Sequence, residues 1–510
     1  MSKEKGKAAT QITLDDDFNV PDTKPDLIRI ILDKGEICPE ETTITQDHVW
    51  LKGVLRFSLL YRSDQEDGKI NSMTGEIPFQ ESLAIDGAKE YDTTRLGWEM
   101  EDLSIGIINS RKLSVKALVT LRVSIDEVYD EDLVTGVEST EQIQTLEDSL
   151  TAIQLFQAKK DTYRFKEEIM LPSNKPNIRQ ILWKSVQLRG VEMKLGNNQM
   201  NIKGEALVFV LYQGEEEEEH LQWIENALPF AGIIDCAGSK EDMIYDVSYQ
   251  MIGVELEAKP DYDGEERMLH LELILDLDIQ IFTEEETRII SDLYTVNAKL
   301  TPVYEDTVFE RLQIKNFSKC KVIEKMTAEK NQEPILQLCA SEGNVVIEQT
   351  EIVEDGIQVE GVLQMSILYV TADDKMPVSS MRDVLPFHYL IEVPGITKDC
   401  RFHLRTGIDQ LTTVMTDSSQ VEVKAVLNLN CIVFAKQPVK KLLAVEQEAL
   451  NLELLQEQPG IIGYIVKNQD RLWDIAKENF TTIPDIVKTN DLALEQIRAG
   501  DKILIIKNVG

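Results

Sequence analysis

The sequence predicts a multidomain chain: three β-rich, sandwich-like repeat domains followed by a small α+β module of order β-α-α-β. Three observations carry this. One spacing recurs three times, in which a Gly is followed eight residues later by Tyr, and that Tyr seventeen residues later by the Pro of an apolar-Pro-Phe triplet. The copies are Gly53, Tyr61 and Ile77-Pro78-Phe79; Gly204, Tyr212 and Leu228-Pro229-Phe230; Gly361, Tyr369 and Leu385-Pro386-Phe387. The period of about 150 residues is too long for a solenoid unit and suits a repeated domain. The second half of each copy alternates apolar and polar residues, the mark of a strand with one buried face. From Tyr464 onward the pattern changes to a short strand, two short amphipathic helices and a strand.

Each copy opens on a Pro-containing entry. Val20-Pro21 and Lys24-Pro25 match Leu171-Pro172 and Lys175-Pro176, while the third copy keeps only Glu333-Pro334. Pro fixes φ and keeps the preceding residue out of a helix, so the entry is extended and leads into a short helix or turn. The residues after each Gly, such as Val54–Tyr61, Glu205–Tyr212 and Val362–Tyr369, are rich in strand formers and end at polar turns. The acidic run Glu215–Glu219 falls in such a turn and reads as a solvated loop. Alternation then appears from Leu113, from Leu269 and from Val421. The clearest helical pattern in this part is Leu150, Ile153 and Phe156, in a connector between the first two copies. These readings give a polar tail over 1–15, a first repeat over 16–138, a connector over 139–164, and a second repeat over 165–295. A third repeat over 296–440, an acidic linker over 441–460 and an autonomous module over 461–510 complete the chain.

Composition narrows the function. The formal charge is −37. The tail from 461 to 510 holds seven basic and seven acidic side chains, so the excess acid lies on the repeats. Such a surface repels phosphate backbones and anionic lipid, which argues against nucleic acid as a partner. No segment has the ~18–20 apolar residues needed to span a bilayer, and the first residues lack a secretory h-region. Direct membrane insertion is not expected. The six Cys form no C-x-x-C pair and read as reduced core thiols in a cytosolic protein.

In the tail, Tyr464-Ile-Val starts a strand, and Asp470 is positioned to cap a helix from Arg471 to Asn479. Thr482 with Pro484 in the first turn opens a second helix that ends near Thr489, and Lys502–Lys507 returns as a strand. The residues Tyr464, Val466, Asp470, Leu472-Trp473, Ile475-Ala476, Thr481-Thr482, Ile486, Asn490, Leu492, Ile497, Gly500 and Leu504 resemble a LysM domain. LysM modules bind N-acetylglucosamine glycans through their first and last loops. The resemblance therefore makes Gln469, Asp470, Arg471 and Asn490 candidate glycan contacts. Two departures count against glycan binding: Gln469 and Phe480 stand where the family usually has Gly, a residue that permits φ > 0 and close approach of a ligand.

Three β-rich repeats with Lys-Pro entries, in an acidic chain closed by a LysM domain, resemble the SipL type of spore morphogenetic proteins, and the repeats resemble SPOCS domains. That resemblance implies a non-enzymatic scaffold made in the mother-cell cytoplasm and gathered at the forespore surface within the spore coat. It implies SpoIVA, the ATPase of the coat basal layer, as a partner of the LysM region, with other coat proteins as further partners. The runner-up is a peptidoglycan-binding LysM protein of the cortex or cell wall.

Chemistry is sparse. The five His stand alone in sequence, and nucleophile-elbow, P-loop and zinc-ligand spacings are absent. No catalytic residue, metal ligand or cofactor is assigned. Trp473 lies about 100° from Leu472 around its helix, which leaves it partly covered, with core and recognition roles both open. Ile461 and Ile462 precede the minimal LysM pattern and can anchor the linker or extend an apolar patch. Trp473, Ile461 and Ile462 are the expected protein-binding residues.

Overall fold

The alternating segments all form strands, and each of the three copies builds the same arrangement. The structure is a computed structural model and describes residues 2–64, 69–215, 221–329, 332–449, 459–492 and 497–507. The first repeat contains β1 (Ser2–Asn19), β2 (Leu27–Thr45), β3 (His48–Ser63), β4 (Ile70–Ala84), β5 (Thr93–Asn109) and β6 (Lys112–Val128). The second contains β7 (Ile143–Met170), β8 (Ile178–Gly196), β9 (Gln199–Gly214), β10 (Gln222–Asp235), β11 (Ile244–Pro260) and β12 (Glu266–Thr295). The third contains β13 (Ala298–Thr327), β14 (Ile335–Val353), β15 (Gly356–Thr371), β16 (Val378–Glu392), β17 (Arg401–Met415) and β18 (Gln420–Ala449).

Every repeat pairs two three-stranded sheets: β1-β6-β5 with β2-β3-β4, β7-β12-β11 with β8-β9-β10, and β13-β18-β17 with β14-β15-β16. In the first repeat the two sheets share one core. Leu14 of β1 and Val119 of β6 meet Phe57 of β3 and Phe79 of β4 in a single buried cluster. The alternation that begins at Leu113 places Val115, Ala117, Val119, Leu121 and Val123 on the buried face of the central strand.

The recurring spacing has a direct structural cause. Gly53 pairs across the sheet with Phe79, Gly204 with Phe230, and Gly361 with Phe387. A Cβ on Gly53 would lie 2.9 Å from the Phe79 ring, and one on Gly361 would lie 2.4 Å from the Val346 carbonyl oxygen. The glycine leaves room for the phenyl ring to fold across the neighbouring strand. The Tyr is buried in all three copies. Its hydroxyl donates to the entry proline: Tyr61 to the Pro25 carbonyl at 3.2 Å and Tyr212 to the Pro176 carbonyl at 3.2 Å. In the third copy, where the entry is one residue shorter, the Tyr369 hydroxyl is buried without such an acceptor. These residues are the repeat's packing device.

Four expectations are corrected. The polar tail over 1–15 is part of β1, an edge strand that pairs Ile12 with Val119 and Leu14 with Ala117. An edge strand needs only one buried face, so its polar residues face water. The helical pattern at Leu150, Ile153 and Phe156 belongs to β7, because pairing with β12 overrides the local spacing. The connector over 139–164 is for the most part this strand. Residues 441–449 of the expected linker continue β18, where Leu442 packs with Ile290 and Leu293 and Lys441 pairs with Glu131 and Glu305. The remainder of that linker, 450–458, and the acidic run 216–219 lie outside the described residues.

The chain divides into two compact units. One holds Met1–Tyr129, Leu155–Thr283 and Gln313–Phe434, the bulk of the three repeats. Within it the repeats share an apolar cluster built from equivalent positions. Ile31, Leu182 and Cys339 lie equally far before the repeat Gly, and Leu60, Leu211 and Leu368 equally far after it. The other unit holds Asp130–Gln154, Glu284–Leu312 and Ala435–Gly510. The tail module therefore sits in one unit with the start of β13 and the end of β12.

Candidate functional site

The tail module is β19 (Ile461–Ile465), α1 (Leu472–Glu478), α2 (Ile483–Asn490) and β20 (Lys502–Ile506). Thr482 caps α2, its hydroxyl accepting from the Asp485 amide at 3.3 Å. Asp470 does not cap α1. Its Oδ2 accepts from the Lys467 amide at 2.7 Å and from the Tyr464 hydroxyl at 2.9 Å, closing the loop on itself. Those bonds, led by the Lys467 amide, hold its carboxyl below the usual range.

The other loop positions are equally committed. Arg471 makes a two-toothed pair with Asp474, at 2.7 and 2.9 Å. Asn490 ties α2 to β20: its Oδ1 accepts from the Leu504 amide at 2.6 Å, and its Nδ2 donates to the Leu504 carbonyl at 2.7 Å. Gln469 and Phe480 hold φ of 76° and 51°, so the backbone keeps the left-handed turns of the usual glycines while carrying side chains there. Of the four expected glycan contacts, Asp470, Arg471 and Asn490 bond within the module.

The β19–β20 pair has two different faces. Ile462, Tyr464, Ile503 and Ile505 turn inward onto the helices. On the outer face Ile461 is 59% exposed, Ile465 60%, Leu504 43% and Ile506 43%. Ile461 pairs with Ile506 and Gly463 with Leu504, so these side chains form one apolar patch around a residue with no side chain. Ile461 is exposed on this outer face, whereas Ile462 packs in the core, and Trp473 is not part of the patch. The run Ile503–Ile506 was the missed signal: apolar residues on both faces of a strand leave one set uncovered.

Trp473 is 6% exposed and not half-covered as its helical angle suggests. Tyr294 of β12 stacks edge-on against the indole, with centroids 4.9 Å apart and rings at 75°. The indole Nε1 donates to Asp292 Oδ2 at 2.7 Å, and Lys477 donates to the same carboxylate at 2.6 and 2.9 Å. The Tyr294 hydroxyl donates to the Thr481 carbonyl at 3.0 Å. Burial alone would raise the Asp292 carboxyl, but the Lys477 and Trp473 donors outweigh it and hold it low. Burial pushes the Tyr294 hydroxyl up to about 12.

A second concentration of ionisable groups lies in the repeat unit. Arg95, Asp246 and His403 stand equally far after the Gly of the first, second and third repeats, and they meet. His403 Nδ1 lies 2.7 Å from Asp246 Oδ2, and its Nε2 lies 3.1 Å from Arg401. Asp246 can only accept and Arg401 can only donate, which assigns the proton to Nδ1; the Arg95 guanidinium also stands 3.0 Å from Nδ1. Arg405 donates to Asp246 Oδ1 at 3.0 and 2.7 Å. Arg95 pairs with Asp126 at 3.0 Å and stands 3.6 Å from Asp246. Burial would raise the Asp246 carboxyl, yet Arg405, His403 and Arg95 hold it well below the usual range. Burial depresses the His403 imidazole, and Arg95 and Arg401 add to that against the pull of Asp246. Among the described residues no hydroxyl or thiol bonds to this ring, and the cluster joins the three repeats.

Compared with known families, residues 26–108, 177–259 and 334–416 match the SipL SPOCS domain. Residues 464–505 match the LysM domain. The chain has the SipL-type architecture. No curated relative and no solved structure matches it. SPOCS and LysM are non-catalytic domain families, and their combination fits a sporulation-associated protein. Among the described residues no helix is long and apolar enough to cross a membrane, and no group of His, Cys, Asp and Glu is arranged to hold a metal ion. Each SPOCS match begins at the proline entry and ends within one residue of the end of the fifth strand of its repeat, leaving the first and last strands outside it.

Proposed function

We propose that this SipL-type protein is a non-enzymatic scaffold of spore-coat assembly. It works in the mother-cell cytoplasm at the forespore surface, where its LysM domain binds a SpoIVA-type coat ATPase and helps the coat encase the forespore. The observation that carries this reading is the outer face of β19–β20, where Ile461, Ile465, Leu504 and Ile506 stand open to solvent. Apolar residues at the centre of a patch with a polar surround favour a protein partner. Three of the four loop groups that a glycan would use, Asp470, Arg471 and Asn490, are bonded within the module instead. Architecture supplies the setting and the patch supplies the contact.

The experiment is a pair of titrations of the full chain, one with purified SpoIVA-type protein and one with chito-oligosaccharides. Binding to the protein that falls at least ~30-fold in the Ile461→Asp variant supports the reading, as expected for a central apolar contact. Micromolar sugar affinity with no protein binding would favour the peptidoglycan reading, with Gln469 and its neighbours as contacts.

A further inference from the structure

The latch around Trp473 bears on how the LysM domain can work. Its anchor lies outside the domain, on Asp292 and Tyr294 of β12, and both partners are shielded: Tyr294 and Trp473 are buried in one cluster with Val466, Ile475 and Leu146. Asp292 gathers three side-chain donors, the Trp473 indole, the Lys477 ammonium and the Tyr304 hydroxyl at 3.3 Å, besides the Leu293 amide at 2.8 Å. The LysM domain contributes two of them, from one face of α1. The outer β19–β20 residues take no part in this cluster. The helix side of the domain is thus held by the chain itself, while the sheet side is left open.

We propose that the LysM domain acts as one half of a composite recognition unit, whose other half is the ledge of β12 bearing Asp292 and Tyr294, with Trp473 as a positioning residue and not a partner contact. The proposal rests on the scaffold reading above. It changes the meaning of Trp473: losing the indole would weaken partner binding by releasing the domain, without removing an interface atom. It also means that a fragment starting at Ile461 lacks the surface that covers its own Trp.

The test uses the full chain and four variants: Asp292→Ala, Trp473→Phe, their combination, and Ile461→Asp. Two readouts are taken, hydrogen exchange of the Trp473 indole N–H or of α1 amides, and affinity for purified SpoIVA-type protein. Asp292→Ala should speed α1 exchange about tenfold or more, the loss expected for buried bonds to a charged acceptor. The same variant should weaken partner binding by a similar factor. Trp473→Phe keeps the ring packing and should show the same pattern, and the combination should be little worse than either change alone. Ile461→Asp should abolish binding with exchange unchanged. Unchanged exchange in Asp292→Ala would overturn the latch. Faster exchange with unchanged affinity would overturn the composite unit and leave the scaffold reading standing. A wild-type chain that binds no SpoIVA-type protein would remove the scaffold reading and this proposal together, whatever the exchange shows.

Discussion

Asp246→Ala removes the acceptor on which Arg405 and His403 converge. The carboxylate is buried and takes bonds of 2.7 and 3.0 Å from Arg405 and 2.7 Å from His403, with Arg95 3.6 Å away. Bonds to a charged group each contribute about 1.5–3 kcal/mol, but deletions do not sum, because water and side chains relax into the gap. The dominant cost is the Arg405 guanidinium left without its counter-charge, since Arg95 keeps Asp126. Deleting one member of a buried ion pair costs about 3–5 kcal/mol, and that is the loss expected here. The assay is urea denaturation of the full chain, with hydrogen exchange reporting the transition that carries β11 and β17. A companion variant replaces Asp246, Arg405 and His403 together by Leu. It should recover most of the loss, because apolar residues leave no charge unpaired, while Arg95 keeps Asp126. A single-variant loss under about 1 kcal/mol would refute the reasoning, since it would mean the Arg405 guanidinium is solvated. A triple variant as unstable as the single one would refute it as well.

His403 should give the repeat unit a pH slope. Its folded-state imidazole is depressed, so its contribution is present above the ordinary histidine value of about 6.5 and is lost as pH falls below it. The denaturation midpoint should drop from there downward, and His403→Gln should flatten that drop. Gly361→Ala puts a methyl carbon 2.4 Å from a carbonyl oxygen and should cost about 1–3 kcal/mol by thermal unfolding, while Gly97→Ala, with nothing within 4 Å, should cost little. Tyr61→Phe and Tyr212→Phe each lose a bond to an entry proline and should cost about 1 kcal/mol, whereas Tyr369→Phe should be near neutral.

Much of the fold is written locally. Period-two alternation from Leu113, Leu269 and Val421 calls for strands, and it produced β6, β12 and β18. The Gly–Tyr–Pro-Phe spacing marks three copies because one cross-strand pair, Gly against Phe, must recur at a constant register. The tail's caps and helical spacing likewise predict β-α-α-β. At Leu150 the local signal misleads: in β7, paired with β12, residues three apart fall on opposite faces, and Leu150 and Ile153 are both buried while Phe156 is exposed. The polar residues of β1 hide a strand for the same reason: pairing with β6 supplies the hydrogen bonds that its own composition does not advertise.

What the sequence by itself determined was periodicity, and with it the strands, the repeats and the LysM module. Which surface covers which was decided only by the tertiary structure. Helix geometry gives the angle of Trp473 but cannot say that Tyr294, far back in the chain, lies over it. The same holds for Arg95, Asp246 and His403, which look like three unrelated charged residues until three equivalent strands bring them within hydrogen-bonding distance. The physical reason is that backbone pattern depends on neighbours a few residues away. Burial and charge pairing depend on residues that meet only after the chain has folded.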